Sequence, residues 1–446
     1  RLFANFYSFP FLFFKQSLDL YALAAVVTIT AALTGAVKSI WAIVILPPAV
    51  AMRPKAPTRY TSFFAGHLNP TQFFSQLTTM AFRHMFRRPI RFAMTTFGTS
   101  LSVALLVTAL FSYDSIDHMI DTIFFQADRQ DATLTFIDDR GQTALHNVVA
   151  MSGVIKAEPF RMTAVKLRNE HYEVQMSIVA LPKNSDLSRI LDHNLAPLEP
   201  PKKGLVISDR VATKLRLRLG DMVDVELTRK NGRIARLPIT RIAQSYVGLT
   251  AYMSFDAFNR MMRDGQRISG VRIKIDDHEL ENLYKAVKET PIISSIALQN
   301  ISRDKFRETI EENITMMTSV YVMLAVIITF GVVYNSARIQ LSERARELAS
   351  LRVFGFTRAE VSRVLMIELA AIVLLAQPLG WLLGYIFAWS VVQGFKSDLY
   401  RIPLVINADT FAWSSIVVLT AALLSALIVR RRVDRLNLIQ VLKTRE

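Results

Sequence analysis

Two groups of charged residues in this sequence have the spacing to act together. From Ser342 to Phe356, Glu343, Arg346, Glu347 and Arg352 surround Leu348, Leu351 and Phe354, and Gly355 follows. On a helix this pattern sets an apolar ridge inside a frame of charge, which can enter a partner's groove while the charges fix register. A solvated loop accounts for the same charges. Gly355 suits the left-handed residue that ends a helix. The second group is Asp114, Asp117 and Asp121 with His118. An acidic stripe attracts cations, but it lacks the spacing of a metal loop, so a solvated helical extension, a rigid stalk, is expected.

Other chemistry is excluded by what is missing. There is no cysteine, which removes thiolate catalysis, disulfides and Cys-ligated metals. The seven histidines are scattered, with no His-Glu-x-x-His and no Gly-x-Ser-x-Gly elbow. No Gly-x-x-x-x-Gly-Lys-Ser/Thr loop occurs, so the chain has no such cradle for nucleotide phosphates. No catalytic residue and no metal ligand is assigned.

The elements that must position these residues are apolar helices. Of 446 residues 51% are apolar and 20% charged, which favours membrane segments over a purely soluble or disordered chain. Five stretches carry no charge: Leu20 to Val37, Phe92 to Phe111, Asn313 to Ala337, Leu369 to Phe395 and Thr410 to Val429. Each approaches or exceeds the roughly 20 residues that a bilayer core of about 30 Å demands. Residues 112–308 hold 29 Lys and Arg against 26 Asp and Glu, leaving 24 against 11 elsewhere. The excess sits beside the spans, as the positive-inside rule describes, and not on a basic soluble domain, so nucleic acid is not an expected partner. Arg83 to Arg91, Arg338 to Arg363 and Arg430 to Arg435 therefore face the cytoplasm, and residues 112–308 lie outside.

Within the spans, Glu368 sits at an inner edge, where either a partnered functional group or a snorkelling side chain is expected. Gly380 and Gly384, four apart, can admit a neighbouring helix, and Pro378 beside Gln377 can kink its own. Packing is the first reading of all three, a substrate path the second.

The ends of the chain repeat. Thr30-Ala31-Ala32-Leu33 matches Thr420-Ala421-Ala422-Leu423, and Phe9-Pro10-Phe11 is echoed by Ile402-Pro403-Leu404. Residues 1–57 are thus expected to be the end of a first copy, with its last span at about 20–37 and a cytoplasmic tail. Residues 58–74 read as a linker and 75–111 as an amphipathic elbow with a span. Residues 112–308 form the external domain, and 309–446 hold spans at about 313–337, 369–395 and 410–429 with a helix at 342–356. The start at Arg1 suggests the C-terminal part of something longer, with no signal peptide to be read.

The external domain alternates strand and helix signals. Strands are expected at Asp131 to Ile137, Arg161 to Arg168, Tyr172 to Ala180, Leu205 to Ser208, Met222 to Thr228 and Ile234 to Ile242. Helices are expected at Gln142 to Met151 and Asp209 to Leu219. Asn231-Gly232 marks a hairpin turn, and Val271 to Leu298 a β-α-β unit.

The stretch Ser342 to Phe356, followed by Glu360 and Glu368, resembles the segment after the second helix of FtsX-like ABC permeases. Phe82-Arg83-His84-Met85-Phe86-Arg87-Arg88-Pro89 resembles the start of that domain, and Ile207-Ser208-Asp209 through Gly220-Asp221 is similar to the periplasmic domain of MacB-like permeases. The resemblance implies an α-helical transmembrane protein with a large α+β extracytoplasmic domain and four helices per half. It implies a bacterial inner-membrane subunit of a mechanotransmitting ABC system, with ATP and Mg2+ bound by a separate ATPase, expected in two copies. Glu343, Arg346, Glu347, Leu351, Arg352, Phe354 and Gly355 would then couple to that ATPase. The output would be movement or extraction of a lipid, lipoprotein or amphipathic peptide, with a periplasmic adaptor as a further partner. The alternative is a regulator that moves no cargo and switches an extracytoplasmic enzyme such as a wall hydrolase.

Overall fold

The computed structural model describes residues 18–44, 78–79, 81, 85, 89–228, 233–246, 248–394 and 402–434. The chain divides into units of residues 1–76 and 77–446. In the first, helix α1 spans Leu18–Val44. Its threonines hide their hydroxyl protons on carbonyls one turn back, Thr28 on Ala24 at 2.8 Å and Thr34 on Thr30 at 2.6 Å, which suits an apolar helix. The helix covers the whole charge-free stretch from Leu20 to Val37. The expected cytoplasmic tail and linker lie outside the described residues.

Among the described residues, four helices of the second unit are long and apolar enough to cross a bilayer. α2 spans Pro89–Asp121. A π-helical turn, Thr122–Ala127, carries it to the external domain. There follow strand β1 (Ala132–Gly141), helix α3 (Thr143–Val149), the 16-residue strand β2 (Val154–Asn169) and β3 (Tyr172–Leu181). Next come the short pair β4 (Ile190–Leu191) and β5 (Pro197–Leu198), then β6 (Leu205–Ser208) and α4 (Asp209–Leu215). The chain continues as β7 (Met222–Leu227), β8 (Arg233–Ala243), β9 (Thr250–Ser254), α5 (Phe255–Met262), β10 (Arg267–Ile275), α6 (Leu280–Lys288) and β11 (Ile293–Leu298). α7 (Gln299–Val353), α8 (Arg358–Gly394) and α9 (Ala408–Asp434) return it to the membrane.

Strand order resolves the external domain into two lobes that share β2. One is β11-β1-β10-β2 with α3 and α6 as crossovers, a split β-α-β arrangement. The other is a closed barrel, β2-β3-β9-β6-β8-β7, sealed where Val165 to Arg168 of β2 meet Asp224 to Leu227 of β7. Each lobe has its own core, around Leu134, Val271 and Ile273 in the sheet and around Leu167, Ile207 and Phe258 in the barrel.

Several expectations shift. β10 and β11 are not neighbours, because β1 lies between them and pairs antiparallel with both. The helix from Asp209 stops at Leu215, since Arg216 turns left-handed at φ 53°. β2 begins seven residues earlier than its alternation suggested, and β9 with α5 carried no clear period. The Asn231-Gly232 turn lies outside the described residues, although β7 and β8 on either side pair antiparallel.

Candidate functional site

The coupling stretch is not a separate helix. It is the last part of α7, a continuous helix of 55 residues, about 80 Å at 1.5 Å per residue, that starts directly after β11. Its backbone carries Glu343, Arg346, Glu347, Leu351 and Arg352 on the closing turns, while their side chains lie outside the described residues. The helix ends as Phe354 N–H reaches the Ser350 carbonyl at 3.0 Å and Gly355 turns to φ 94°, a conformation that an L side chain resists. Val353 and Phe354 are 72% and 80% exposed at this turn.

A capping box restarts the chain as α8. The Glu360 carboxylate accepts from Thr357 N–H at 2.8 Å and from its hydroxyl at 2.9 Å, while Glu360 N–H donates to the Thr357 hydroxyl at 3.3 Å. A tight, defined turn thus holds an exposed aromatic side chain between two long helices.

The membrane residues singled out from sequence fall along α8. Glu368 is buried. Gln377 is buried too and donates to the Val373 carbonyl at 3.0 Å, next to Pro378 inside the helix. Gly380 and Gly384 face α2: a Cβ placed on Gly380 would stand 2.4 Å from that of Val103, and one on Gly384 would stand 2.6 Å from that of Val107. Residue numbers rise together across this seam, so α2 and α8 run parallel. Thr108 adds a bond from its hydroxyl to the Gly384 carbonyl at 3.4 Å.

The acidic stripe is a set of joints, more than a solvated extension. Asp114 accepts from Asn407 N–H at 2.8 Å and from the Thr410 hydroxyl at 2.7 Å, holding the start of α9 against α2. Asp117 pairs with Arg307 of α7 at 3.0 Å. The His118 ring lies edge-on to Tyr246, which enters from the loop after β8 among Ile116, Met119 and Ile120. Among the described residues no cluster of three His, Asp or Glu side chains has metal-binding geometry.

Sequence reasoning missed two polar clusters in the external domain. Arg161, fully buried where the lobes meet, donates to Asp139 and Asp264 at 3.0 and 2.8 Å and to Asn259 at 2.6 Å. An arginine amid alternating strand residues reads as outward-facing, so only its packing reveals it. Near β4, Asp186 binds Lys156 at 3.1 Å and also pairs with Arg189; hydrogen bonds from these two cations hold its carboxyl at about 2. Glu158 alongside is also lowered: burial pushes it up, but the Ser185 hydroxyl and the Asp186 and Leu187 N–H groups outweigh that.

The architecture is thus a set of long apolar helices, a large α+β domain and one long helix that leads from that domain to the turn at Gly355. Residues 319–438, which run from the span of α7 through α9, match the family model described as FtsX-like permease C-terminal. No curated protein matches. Among solved structures, the chain is similar to the periplasmic region of MacB from Actinobacillus actinomycetemcomitans, at 9% identity and a TM-score of 0.29, over 41% of this chain and 94% of that one. It is also similar to the extracellular domain of the noncanonical ABC-type transporter YknZ from Gram-positive bacteria, at 10% identity and a TM-score of 0.26, over 34% and 87%.

Proposed function

We propose that this chain is the permease subunit of an ABC transporter of the inner membrane, driven by a partner ATPase that binds ATP and Mg2+. The continuity of α7 carries the reading: one helix leads from the external edge strand β11 to the exposed turn at Phe354 and Gly355. A continuous helix can transmit displacement along its length, whereas a break near the membrane would absorb it. Glu343, Arg346, Glu347, Leu351, Arg352, Phe354 and Gly355 form the docking surface for the ATPase, present in two copies. The output is movement or extraction of a hydrophobic cargo such as a lipid, lipoprotein or amphipathic peptide, with an extracytoplasmic adaptor or enzyme as a further partner.

The test is affinity purification of the full chain from native membranes, followed by reconstitution in vesicles with fluorescent lipid or lipopeptide. The expected result is co-purification of an ATP-hydrolysing subunit whose turnover drives extraction, with both lost in Phe354→Ala. Hydrolysis without cargo movement would assign the chain to regulation of an extracytoplasmic enzyme instead. Absence of any ATPase would overturn both.

A further inference from the structure

We infer that α2 and α8 form one rigid block and that α7 is the element that moves past it. The lever reading above gives that motion its purpose, while the inference rests on packing. The seam between α2 and α8 leaves no room for a Cβ at Gly380 or Gly384, where it would meet Val103, Val107, the Ser100 carbonyl and the Ala104 backbone within 3.3 Å. Sliding either helix by one residue would drive side chains into those notches, so the two keep their register.

The α7 side is built differently. Gly98 of α2 faces Val332 of α7 at an ordinary 3.6 Å, and nothing lies within 4 Å of a Cβ on Gly331. Of the apolar window of α7, 22% is buried, against 56% for α2 and 50% for α8. An interface packed at ordinary contact distance can change register at little cost, whereas the glycine seam cannot.

The consequence reaches the external domain. α2 feeds β1 and α7 leaves β11, and these strands are paired neighbours. Displacement of α7 against the block therefore loads the β1–β11 ladder at the edge of the split β-α-β lobe.

The chain has no cysteine, so spin labels can be attached at substitutions on exposed faces. Met94→Cys on α2, Leu375→Cys on α8 and Ile327→Cys on α7 leave every seam residue untouched. Distances are measured by double electron–electron resonance on the full chain in lipid nanodiscs. The Met94–Leu375 distribution should be single and narrow, and the Met94–Ile327 distribution broader by at least about 2 Å, the scale of helix shifts at packed interfaces. Equal widths, or a broader Met94–Leu375 pair, would overturn the inference. Adding the ATPase and ATP tests the lever reading separately, since an α7 distance that ignores nucleotide would sink that reading and leave the rigid block standing.

Discussion

The carboxylate of Asp114, beyond the apolar part of α2, accepts a hydrogen bond of 2.7 Å from the hydroxyl of Thr410 in the first turn of α9. The backbone N–H and side-chain amide of Asn407 converge on the same carboxylate at 2.8 and 3.2 Å. A negative group at a helix N-terminus faces the positive end of the macrodipole, so a residue of one helix caps another nearly three hundred positions later. Asp114→Ala should destabilise the membrane bundle by about 1–2 kcal/mol, the usual cost of a lost charged cap. Thermal unfolding in detergent, followed by the fluorescence of the four tryptophans, measures it; an unchanged midpoint would mean the cap is ornamental.

Arg161 should matter more. Removing one partner from a buried ion pair strands the others, at about 3–5 kcal/mol. Arg161→Ala is expected to expose the junction of the two lobes to protease before the membrane helices unfold. If cleavage in the external domain proceeds at the wild-type rate, the cluster does not hold the lobes together.

The Asp186 cluster predicts a pH window. Its folded carboxyl lies at about 2, below the ordinary 3.8, so its pairing contributes above 3.8 and fades as pH falls toward 2. The lysine partner, Lys156, is raised above 10.5 by its hydrogen bonds to Glu158 and Asp186, so that contribution fades only as pH rises beyond this value. Amide exchange at Asp186 and Leu187, compared between wild type and Asp186→Asn, should differ at pH 6 and converge near pH 2. Equal protection at both values would show the pairing to be inert.

Filling the helix seam should be costly. Gly384→Leu places a large side chain where even a Cβ meets Val107 at 2.6 Å, and overpacking of this kind costs about 1–3 kcal/mol or more. Gly331→Leu, in open space on α7, serves as the control and should leave the melting temperature near wild type. Equal midpoints for the two variants would show that α2 and α8 are not closely packed.

At the inner turn, Phe354→Ala removes an exposed ring that contributes little to the fold. It should weaken ATPase binding by about 2 kcal/mol, roughly 30-fold, if the ring is an anchor of the interface. Gly355→Val should instead distort the turn itself, since φ 94° is strained for a branched residue. Binding isotherms with the co-purified ATPase separate these effects, and full affinity in both variants would place the docking surface elsewhere.

Much of this fold was legible because its strongest signals are local. Charge-free runs such as Thr410 to Val429 and flanking arginines such as Arg430 mark helices and their direction, since transfer into lipid acts on each segment separately. Strand patterning marked β3, β6 and β7, while the cap of Ser208 on α4 at Val211 N–H came only with the structure. β9 stayed hidden because it is only five residues long, and the first half of β2 because its burial there is irregular and keeps no clean period. The stretch from Ser342 to Phe356 stands out by its charges, but its union with α7 does not, because nothing in Arg338 to Ser350 says whether the helix breaks at the membrane edge.

The sequence by itself marked the four long helices of the second unit as long and apolar enough to cross a bilayer, with arginines at their ends, from burial costs and patterns that act along the chain. Tertiary structure alone decided that Gly380 and Gly384 meet α2, that Asp114 caps α9, that Arg161 is buried, and that β1 and β11 join the two long helices side by side. Those facts depend on which surfaces come into contact across hundreds of residues, and the energy of such contacts is a property of the pair that neither segment carries alone.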